Sequence, residues 1–247
     1  MSGNLFQFRP INNAYWKSNL ENNLMVFNSI KNFNDPFEGY HLAHNLFWKD
    51  GNIVSSEEAK PLHETLAKFV MEKLDNFPLK EDYFDENVLR RLNKKYRITC
   101  LTSEVEDVLM WSHYGDSHKG ICVEYDRDVL SSISRDISLH KVEYDQKGYV
   151  IYPEKLQKSP EEILIHKNKR WDYEKEERLV WKLSDKAFYA NERLVTEVPF
   201  VSITVGVSTP DDIKDMIFKL CREKKIVYYE MTIKEDSLEH RPILREI

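Results

Sequence analysis

The chain is short of glycine and cysteine, and this shortage removes several familiar kinds of site. It has 7 glycines and 3 cysteines in 247 residues. The segments GxGxxG, GxxxxGKS and GxSxG do not occur, so the markers of a Rossmann dinucleotide turn, a P-loop and a hydrolase nucleophile elbow are missing. Cys100, Cys122 and Cys221 are widely spaced and odd in number. This pattern argues against a disulfide framework or a cysteine zinc site and favours a reducing compartment.

Long apolar runs and an excess of positive charge are lacking as well. No apolar run approaches the roughly 20 residues that a membrane span requires, and the first residues show no secretory signal pattern. We therefore expect a cytoplasmic protein that does not associate with membranes. The formal net charge of −6 opposes binding to nucleic acid through the field of the whole molecule, although a local basic groove stays open as an alternative.

The remaining composition, 41% hydrophobic and 32% charged, is that of a globular chain. No repeat, low-complexity tract or Gly/Ser linker divides it, so we predict one domain over residues 1–247. Apolar alternation predicts strands at 5–10, 24–30, 96–102, 120–126, 139–145, 173–183, 198–208 and 226–235. Helical spacing and capping residues predict helices at 55–74, 85–96, 103–115, 159–170 and 209–225, with a short helix or turn at 15–23. This irregular order predicts an α+β fold with a mixed, largely antiparallel sheet and packed helices.

The segment WDYEKEER, residues 171–178, concentrates charge within the predicted strand 173–183. The two-residue period of a strand places Glu174, Glu176 and Arg178 on one face. Such a group can stabilise an oxocarbenium-like transition state, position a ribose hydroxyl or act as a general base, because neighbouring like charges separate carboxylate pKa values. The alternative is a helix end in which Glu174 and Arg178 form an exposed i, i+4 ion pair.

The segment LMWSHYGDSHKGICVEYD, residues 109–126, joins a helix signal to a strand signal. We predict a helix that begins at a Ser103 cap, with Glu106 completing a capping box, and ends at Gly115. His113 and Tyr114 are candidates for lining a site, although a satisfied core histidine is an equal interpretation of His113. His113 and His118 do not share a helix face, so we predict no metal site and a solvated loop position for His118.

A third segment, FNDPFE at residues 33–38, places Asn34 and Asp35 before a proline. Asn and Asp side chains in this setting bond to the local backbone and form a turn. Because phenylalanines flank it, the turn is predicted to pack against the protein, where its acids need a partner such as Arg9. The simpler interpretation is a turn without a further role.

These motifs, in the order LFQFRP, LMVFNSIKNFNDPFE, ITCLTSEVEDVLMWSHYGDSHKGICVEYD and RWDYEKEERLV, resemble the bacterial family called domain of unknown function 2971 over nearly the whole chain. The layout of that family is similar to the ADP-ribosyltransferase superfamily and to small toxin or phage-defence effectors with that fold. The resemblance implies an ADP-ribosyltransferase-like fold, NAD as the substrate, and activity as an ADP-ribosyltransferase or NAD glycohydrolase. It also implies a nucleotide or dinucleotide ligand and a protein partner of the antitoxin kind.

The resemblance also implies roles for individual residues. Arg9 on the first strand, Ser103 after the middle strand, and Glu174 with Glu176 match the Arg, Ser and ExE positions of such enzymes, with Arg9, Glu174 and Glu176 catalytic. Glu176 would orient the nicotinamide ribose and stabilise the cationic transition state, while Glu174 or Glu177 would activate the acceptor. The residues expected to contact the dinucleotide are Arg178, Ser103, His113, Tyr114, Asn34 and Asp35.

Two other functions are alternatives. One is a magnesium-dependent nuclease in which Asp35, Glu174 and Glu176 bind the ion, because hard cations prefer carboxylate oxygens. The other is a non-enzymatic ligand-binding or partner-binding module, in which the same polar residues form a buried network that stabilises the fold.

Overall fold

The computed structural model describes residues 3–33, 48–49, 52–53, 92–145, 164–184, 193–235 and 237–242. The predicted helix at 55–74, most of the predicted helix at 85–96, and the predicted site residues Asn34 and Asp35 lie outside these ranges. No helix among the described residues is long and apolar enough to cross a membrane.

Strands are more extensive than helices in the described chain. They are β1 (Leu5–Arg9), β2 (Leu24–Asn28), β3 (Trp48–Lys49), β4 (Asn52–Ile53), β5 (Tyr96–Thr102), β6 (Ile121–Tyr125), β7 (Ile137–Lys141), β8 (Glu143–Asp145), β9 (His166–Asn168), β10 (Glu176–Lys182), β11 (Arg193–Glu197), β12 (Ser202–Val205), β13 (Val227–Lys234) and β14 (Ser237–Pro242). The α-helices are α1 (Trp16–Glu21), α2 (Val108–His113), α3 (Arg127–Ser132) and α4 (Asp211–Lys224), and two 3₁₀ helices cover Ile30–Asn32 and Lys169–Glu174.

Ten of the strands form one sheet. Its order is β11-β2-β5-β1-β6-β12-β13-β14, and β10 pairs with both β5 and β7. The neighbours in this sheet are antiparallel except β12 and β13, which are parallel and are joined by α4. A parallel pair needs such a crossover, whereas antiparallel strands can be joined directly. The predicted α+β class with a mixed, largely antiparallel sheet is confirmed.

The two faces of the sheet carry different residues. On the face that we call the core face, Leu5, Leu101 and Val123 pack with Ile217 and Cys221 of α4. We call the opposite face the open face. The pairing of residues between strands shows which side chains lie on it. Paired residues of an antiparallel sheet point to the same side, and Thr102 pairs with Phe6 on β1 and with Glu176 on β10. The hydrophobic core and the ExE carboxylate of β10 therefore lie on opposite sides of the sheet.

The sheet forks beside β5. One edge of β5 pairs with β10 along its full length, from Tyr96 to Thr102. Along its other edge, β5 pairs with β1 at Thr102 and with β2 at Ile98, one residue pair each. Strands β1 and β2 therefore diverge from each other along the middle of β5, which leaves space between them.

The segment that follows α2 makes a tight turn against the helix. Asp116, Ser117 and His118 are consecutive residues in the left-handed region, with φ of 52°, 53° and 66°, a conformation that L residues adopt at a cost. Backbone bonds compensate, because His118 N donates to Trp111 O and Gly120 N donates to Gly115 O. We predict from the sequence that His118 is solvated. The prediction is wrong for its Nδ1 atom, which is buried.

Several predicted elements differ from the structure. The helix predicted from Ser103 begins at Val108 with Asp107 as its cap, and it ends at His113. The strand predicted at 139–145 is divided at Val142 into β7, which pairs with β10, and β8, which pairs with β9. The helix predicted at 159–170 is wrong over its described part, where β9 and a 3₁₀ helix occur. The side chain of Asn168 caps that 3₁₀ helix. Strand β9 ends at this residue.

Candidate functional site

A cavity of about 400 Å³ opens on the open face at the fork of the sheet. Strand β1 contributes Phe6 and Phe8, β2 contributes Val26 and Asn28, and β5 contributes residues 98–102. The cavity is of the size that proteins use for small molecules, and apolar rings with a few polar groups form its walls, as is typical of such sites. The fork therefore provides a binding pocket, because the diverging strands leave the middle of β5 uncovered on that side.

One end of the cavity carries charge. Tyr114, which follows α2, lines this end together with Lys167, Glu174 and Glu176. Lys167 is 6% exposed, Glu174 is 2% exposed and Glu176 is 5% exposed. Buried charges of this kind require counter-charges and hydrogen bonds.

The counter-charges come from Lys167 and Arg178. The Lys167 Nζ atom donates to Glu174 Oε2 at 2.6 Å and to Glu176 Oε2 at 3.1 Å. The Arg178 guanidinium donates to both oxygens of Glu176, from Nε at 2.8 Å and from Nη2 at 3.0 Å. Two cations and two carboxylates thus form one buried, connected cluster, which we call the acid cluster.

Local backbone geometry brings the two glutamates together. Glu176 and Arg178 lie on the same face of β10, as the two-residue period predicts. Glu174 is not in this strand, because the 3₁₀ helix ends at Glu174 and Lys175 turns the chain with a φ of 43°. The Glu174 carboxylate therefore reaches the acid cluster from the end of the 3₁₀ helix and not from the strand. The alternative of an exposed helical pair between Glu174 and Arg178 is wrong, since both side chains are buried and Arg178 lies in a strand.

Hydrogen bonds fix the acid cluster from several elements. The Tyr114 hydroxyl donates to Glu174 Oε1 at 2.7 Å, and the Thr102 hydroxyl donates to the Glu174 carbonyl at 2.5 Å. Arg178 Nη1 donates to the Leu164 carbonyl at 2.6 Å. The Tyr144 hydroxyl accepts from the Glu176 N–H at 2.8 Å. Helix α2, strands β5 and β8 and the 3₁₀ segment therefore hold these groups in place.

The two carboxyl groups have opposite pKa shifts. Burial raises the pKa of Glu176, but the positive charges of Arg178 and Lys167 outweigh it and lower the pKa to about 2. The pKa of Glu174 is raised, mainly by burial, with Lys167 opposing the rise and the Glu176 charge adding to it. Glu176 is therefore a permanent anion near neutral pH, whereas Glu174 can exchange a proton more readily.

Arg9, predicted as a catalytic partner, does not join this cavity. The β1–β6 register puts its side chain on the core face with Tyr125, opposite Phe6 and Phe8. Its Nε donates to Gln7 Oε1 at 2.8 Å, and its Nη2 bonds to the Tyr125 hydroxyl. The expectation that Arg9 shares a cleft with the two glutamates is not met. Successive side chains of β1 point to opposite faces of the sheet, so the Arg9 side chain lies on the core face and the two glutamates lie on the open face.

The other predicted residues divide into two groups. Tyr114 lines the cavity, and Arg178 lies behind it against Glu176. His113 is exposed outside the cavity lining, with Nδ1 3.2 Å from the Tyr173 hydroxyl. Ser103 is exposed and outside the lining as well.

Glu177, the alternative for activating an acceptor, lies on the other face of β10. Its two carboxylate oxygens accept from Arg127 at 2.6 Å and 2.7 Å. It is paired in the register with Leu101, a core residue. Of the two glutamates named for that role, Glu174 is therefore the one that faces the cavity.

The sequence patterns do not indicate Lys167, Asn28 and Phe33, which also line the cavity. Lys167 could have been sought, because two buried carboxylates beside one arginine need a further cation. Its position in a predicted helix hid it, since the predicted element gave no reason to aim its side chain at β10.

Magnesium binding gains no support from the described residues. Among them there is no group of three His, Cys, Asp or Glu side chains that could hold a metal ion. Asp35, the third ligand in that hypothesis, lies outside the described ranges. Glu174 and Glu176 already share the ammonium of Lys167, which competes with a cation for their oxygens.

Comparison with known proteins gives one match. No curated protein and no solved structure matches the chain. The family model described as "Protein of unknown function (DUF2971)" matches residues 110–179, from the third residue of α2 through the first half of β10. This range contains the WSHY segment, Lys167 and both glutamates of the acid cluster. The resemblance predicted from the order of the motifs is thus confirmed over residues 110–179.

Proposed function

We propose that the protein is an enzyme that cleaves the bond between nicotinamide and ribose in NAD, as an ADP-ribosyltransferase or NAD glycohydrolase. The observation that carries the proposal is the pair of buried carboxyl groups with opposite pKa shifts beside one cavity. Neighbouring acids whose environments separate their pKa values are a general mark of acid–base sites.

The chemistry assigns a role to each carboxyl group. When the bond between the ribose carbon and the nicotinamide nitrogen breaks, its electron pair goes to the ring nitrogen, and the ribose becomes an oxocarbenium-like cation. The permanent negative charge of Glu176 favours that cation. Water or an acceptor hydroxyl then adds to the ribose carbon and gives its proton to Glu174, which stands free of the strong arginine pairing that Glu176 has.

The neighbouring residues position these two groups. Lys167 bridges both carboxylates and keeps them from moving apart. Tyr114 donates to the Glu174 oxygen opposite to the one that binds Lys167. The rings of Phe6, Phe8 and Phe33 in the cavity wall suit a planar group such as nicotinamide.

The wider setting of the proposal comes from the resemblance. An ADP-ribosyltransferase-like fold, a cytoplasmic location and a role as a bacterial defence effector or toxin agree with it, as does a protein partner that restrains the activity. These features are proposals of the same standing as the activity, and fold-level analogy is their support.

The direct test is release of nicotinamide from NAD by the purified protein. We expect the wild-type chain to release nicotinamide and Glu176→Gln to bind NAD with strongly reduced turnover. Binding is followed by calorimetry and folding by circular dichroism. A wild-type protein that neither binds nor consumes NAD would remove the proposal.

A second function, a binding module without catalysis, is favoured by the charge balance of the acid cluster. Its two cations and two carboxylates neutralise each other, as in a network that serves the fold alone. If Glu176→Gln unfolds the protein and the wild type binds no ligand, this structural role is the better account. If DNA or RNA is cleaved in the presence of Mg²⁺ and a chelator stops the cleavage, the nuclease takes precedence over both.

A further inference from the structure

The end of the cavity opposite to the acid cluster is lined by amides. Asn28, at the end of β2, and Asn32, in the first 3₁₀ helix, both line the cavity. Asn28 is half-buried and Asn32 is exposed. Neither side-chain amide has a hydrogen-bond partner within the part of the chain that the structure describes. Amides on a cavity wall need partners from solvent or from a ligand, and each amide offers both a donor and an acceptor.

The register gives the distance between the two ends. Asn28 pairs with Ile98, and Glu176 pairs with Thr102, so the ends are four residues apart along β5. At the rise of a β-strand this separation is about 13 Å along β5, and β2 and β10 lie on opposite edges of β5, about 10 Å apart across the sheet. The length suits a sugar joined to a planar ring, and it is too long for a sugar alone.

The wall near the amides is aromatic. Phe33 lines the cavity, and its ring lies 5.5 Å from the Arg178 guanidinium carbon, which holds it in place from the side of the acid cluster. Phe8 lines the cavity and packs edge to face on Trp111 at 4.9 Å. Rings fixed in this way offer stacking surface to a planar group without losing much rotamer freedom.

We infer that the side-chain amides of Asn28 and Asn32 form hydrogen bonds with the edge of a planar ring that carries a donor beside an acceptor. The ring is joined to a ribose, and the ribose reaches the acid cluster. This inference rests on the proposed function and names its substrate class. The carboxamide of nicotinamide is such an edge, and its ribose carries the bond that the proposed function places at the acid cluster. The amino edge of adenine, with which asparagine forms two hydrogen bonds, is the alternative that the test separates.

Binding can be separated from turnover in the Glu174→Gln background. Calorimetry compares nicotinamide riboside with nicotinic acid riboside, and adenosine with inosine, since each second compound lacks the amide or amino donor. We expect the nicotinamide pair to show a preference of about tenfold or more for the donor-bearing compound, because a site built to hydrogen-bond a group rejects its analogue. A preference confined to the adenosine pair would assign the ring to adenine and contradict the placement of the nicotinamide ribose at the acid cluster.

Asn28→Leu is expected to abolish that preference. Asn28→Asp, which keeps the volume of the side chain and its acceptor and removes its donor, guards against a folding defect. It is expected to keep or raise the preference, because the carboxylate still accepts from the ligand's N–H group and repels the oxygen of the analogue. Asn19→Leu, at a residue of α1 outside the cavity lining, is the matched control and is expected to retain it.

The outcomes distinguish this inference from the proposed function. If the preference survives in Asn28→Leu, or if the wild-type cavity binds neither pair, the inference is overturned. Cleavage of NAD together with unchanged binding by Asn28→Leu overturns the inference alone. A preference that depends on Asn28 in a protein that releases no nicotinamide supports the inference and overturns the proposed function.

Discussion

Arg178 is the residue on which the charge balance of the acid cluster depends. Its side chain is fully buried and donates to both oxygens of Glu176 as well as to the Leu164 carbonyl. An arginine makes this planar two-bonded contact with a carboxylate, and a lysine cannot. Removing one partner of a buried pair leaves the other charge without compensation.

We predict that Arg178→Met lowers the free energy of unfolding by about 3–5 kcal/mol, as measured by urea denaturation. The double variant with Glu176→Gln is expected to recover part of the loss, because no isolated charge remains. Arg241→Met, in an exposed pair with Glu239, serves as the control and is expected to leave the transition midpoint unchanged. An Arg178→Met protein as stable as the wild type would contradict the buried pairing.

The pKa of Glu176 predicts a pH dependence of stability. Its folded-state pKa is lowered from 4.5 to about 2, so its ionised form stabilises the folded protein above pH 4.5. That contribution is lost as the pH falls from 4.5 to about 2. Glu174 has the opposite effect on stability. Because its pKa is raised in the folded protein, its contribution to the free energy of unfolding decreases as the pH rises and the carboxyl group ionises.

We therefore expect the melting temperature of the wild type to fall more steeply between pH 4.5 and 2 than that of Glu176→Gln. Scanning calorimetry across this range measures it, with Glu143→Gln, an exposed carboxyl, as a control that keeps the wild-type slope. Parallel curves for the wild type and Glu176→Gln would count against the lowered pKa.

At the scale of elements, α2 positions Tyr114 at the cavity and depends on its cap. Asp107 Oδ1 accepts from the Met110 N–H at 2.9 Å, whereas Ser103, the cap predicted from the sequence, lies outside the helix. Asp107→Ala is expected to lower the free energy of unfolding by about 1 kcal/mol. Ser103→Ala is expected to be neutral, and urea denaturation of the two variants decides between the two caps.

The turn after α2 has no room for a side chain at Gly115, so a substitution there is expected to lower stability. A Cβ atom on Gly115 would lie 2.7 Å from Trp111 O and 2.8 Å from the Trp111 ring, which is fully buried and cannot move aside. Gly115→Ala is expected to destabilise the protein by about 1–3 kcal/mol, as overpacking does. Gly3→Ala, where a Cβ atom meets nothing within 4 Å, is the matched control. Equal melting temperatures for the two variants would show that the turn tolerates a side chain.

The elements that the sequence predicts well are those whose periodicity is local. Strands β1, β2, β5 and β6 occur where apolar patterning places them, and so does the helix α4. The sequence does not predict β11 or β14, because these edge strands have one partner each and carry mixed polar residues. The helix predicted over β9 fails because a cap signal at Ser159 does not determine how far a helix continues.

The candidate site could be predicted in part. Glu176 and Arg178 share a face as alternation requires, and Tyr114 lies beside the cavity. The need for a further cation beside the two carboxylates could be predicted, but its identity as Lys167 and the place of Asn28 could not, since both follow from the pairing of distant strands. The position of Arg9 shows the same limit: a strand's period gives two faces, but only the register decides which face meets the glutamates.

At the scale of the whole molecule, the sheet places the larger hydrophobic core and the cavity on opposite faces. The core face packs the helices α1, α3 and α4, while the open face carries the cavity and the acid cluster. Glu174 and Glu177 illustrate the division, because one lines the cavity and the other pairs with Arg127 on the core face. The central claim is that chemistry takes place on the open face.

The rate of nicotinamide release from NAD by Glu174→Gln and Glu177→Gln, beside the wild type, tests that claim most directly. Both changes replace a buried carboxylate with an amide of the same shape, a few residues apart in one segment. We predict that Glu174→Gln lowers the rate about a hundredfold or more, the usual effect of losing an acid–base group, while folded Glu177→Gln keeps it. Equal rates for the two variants, or a loss confined to Glu177→Gln, would contradict the account.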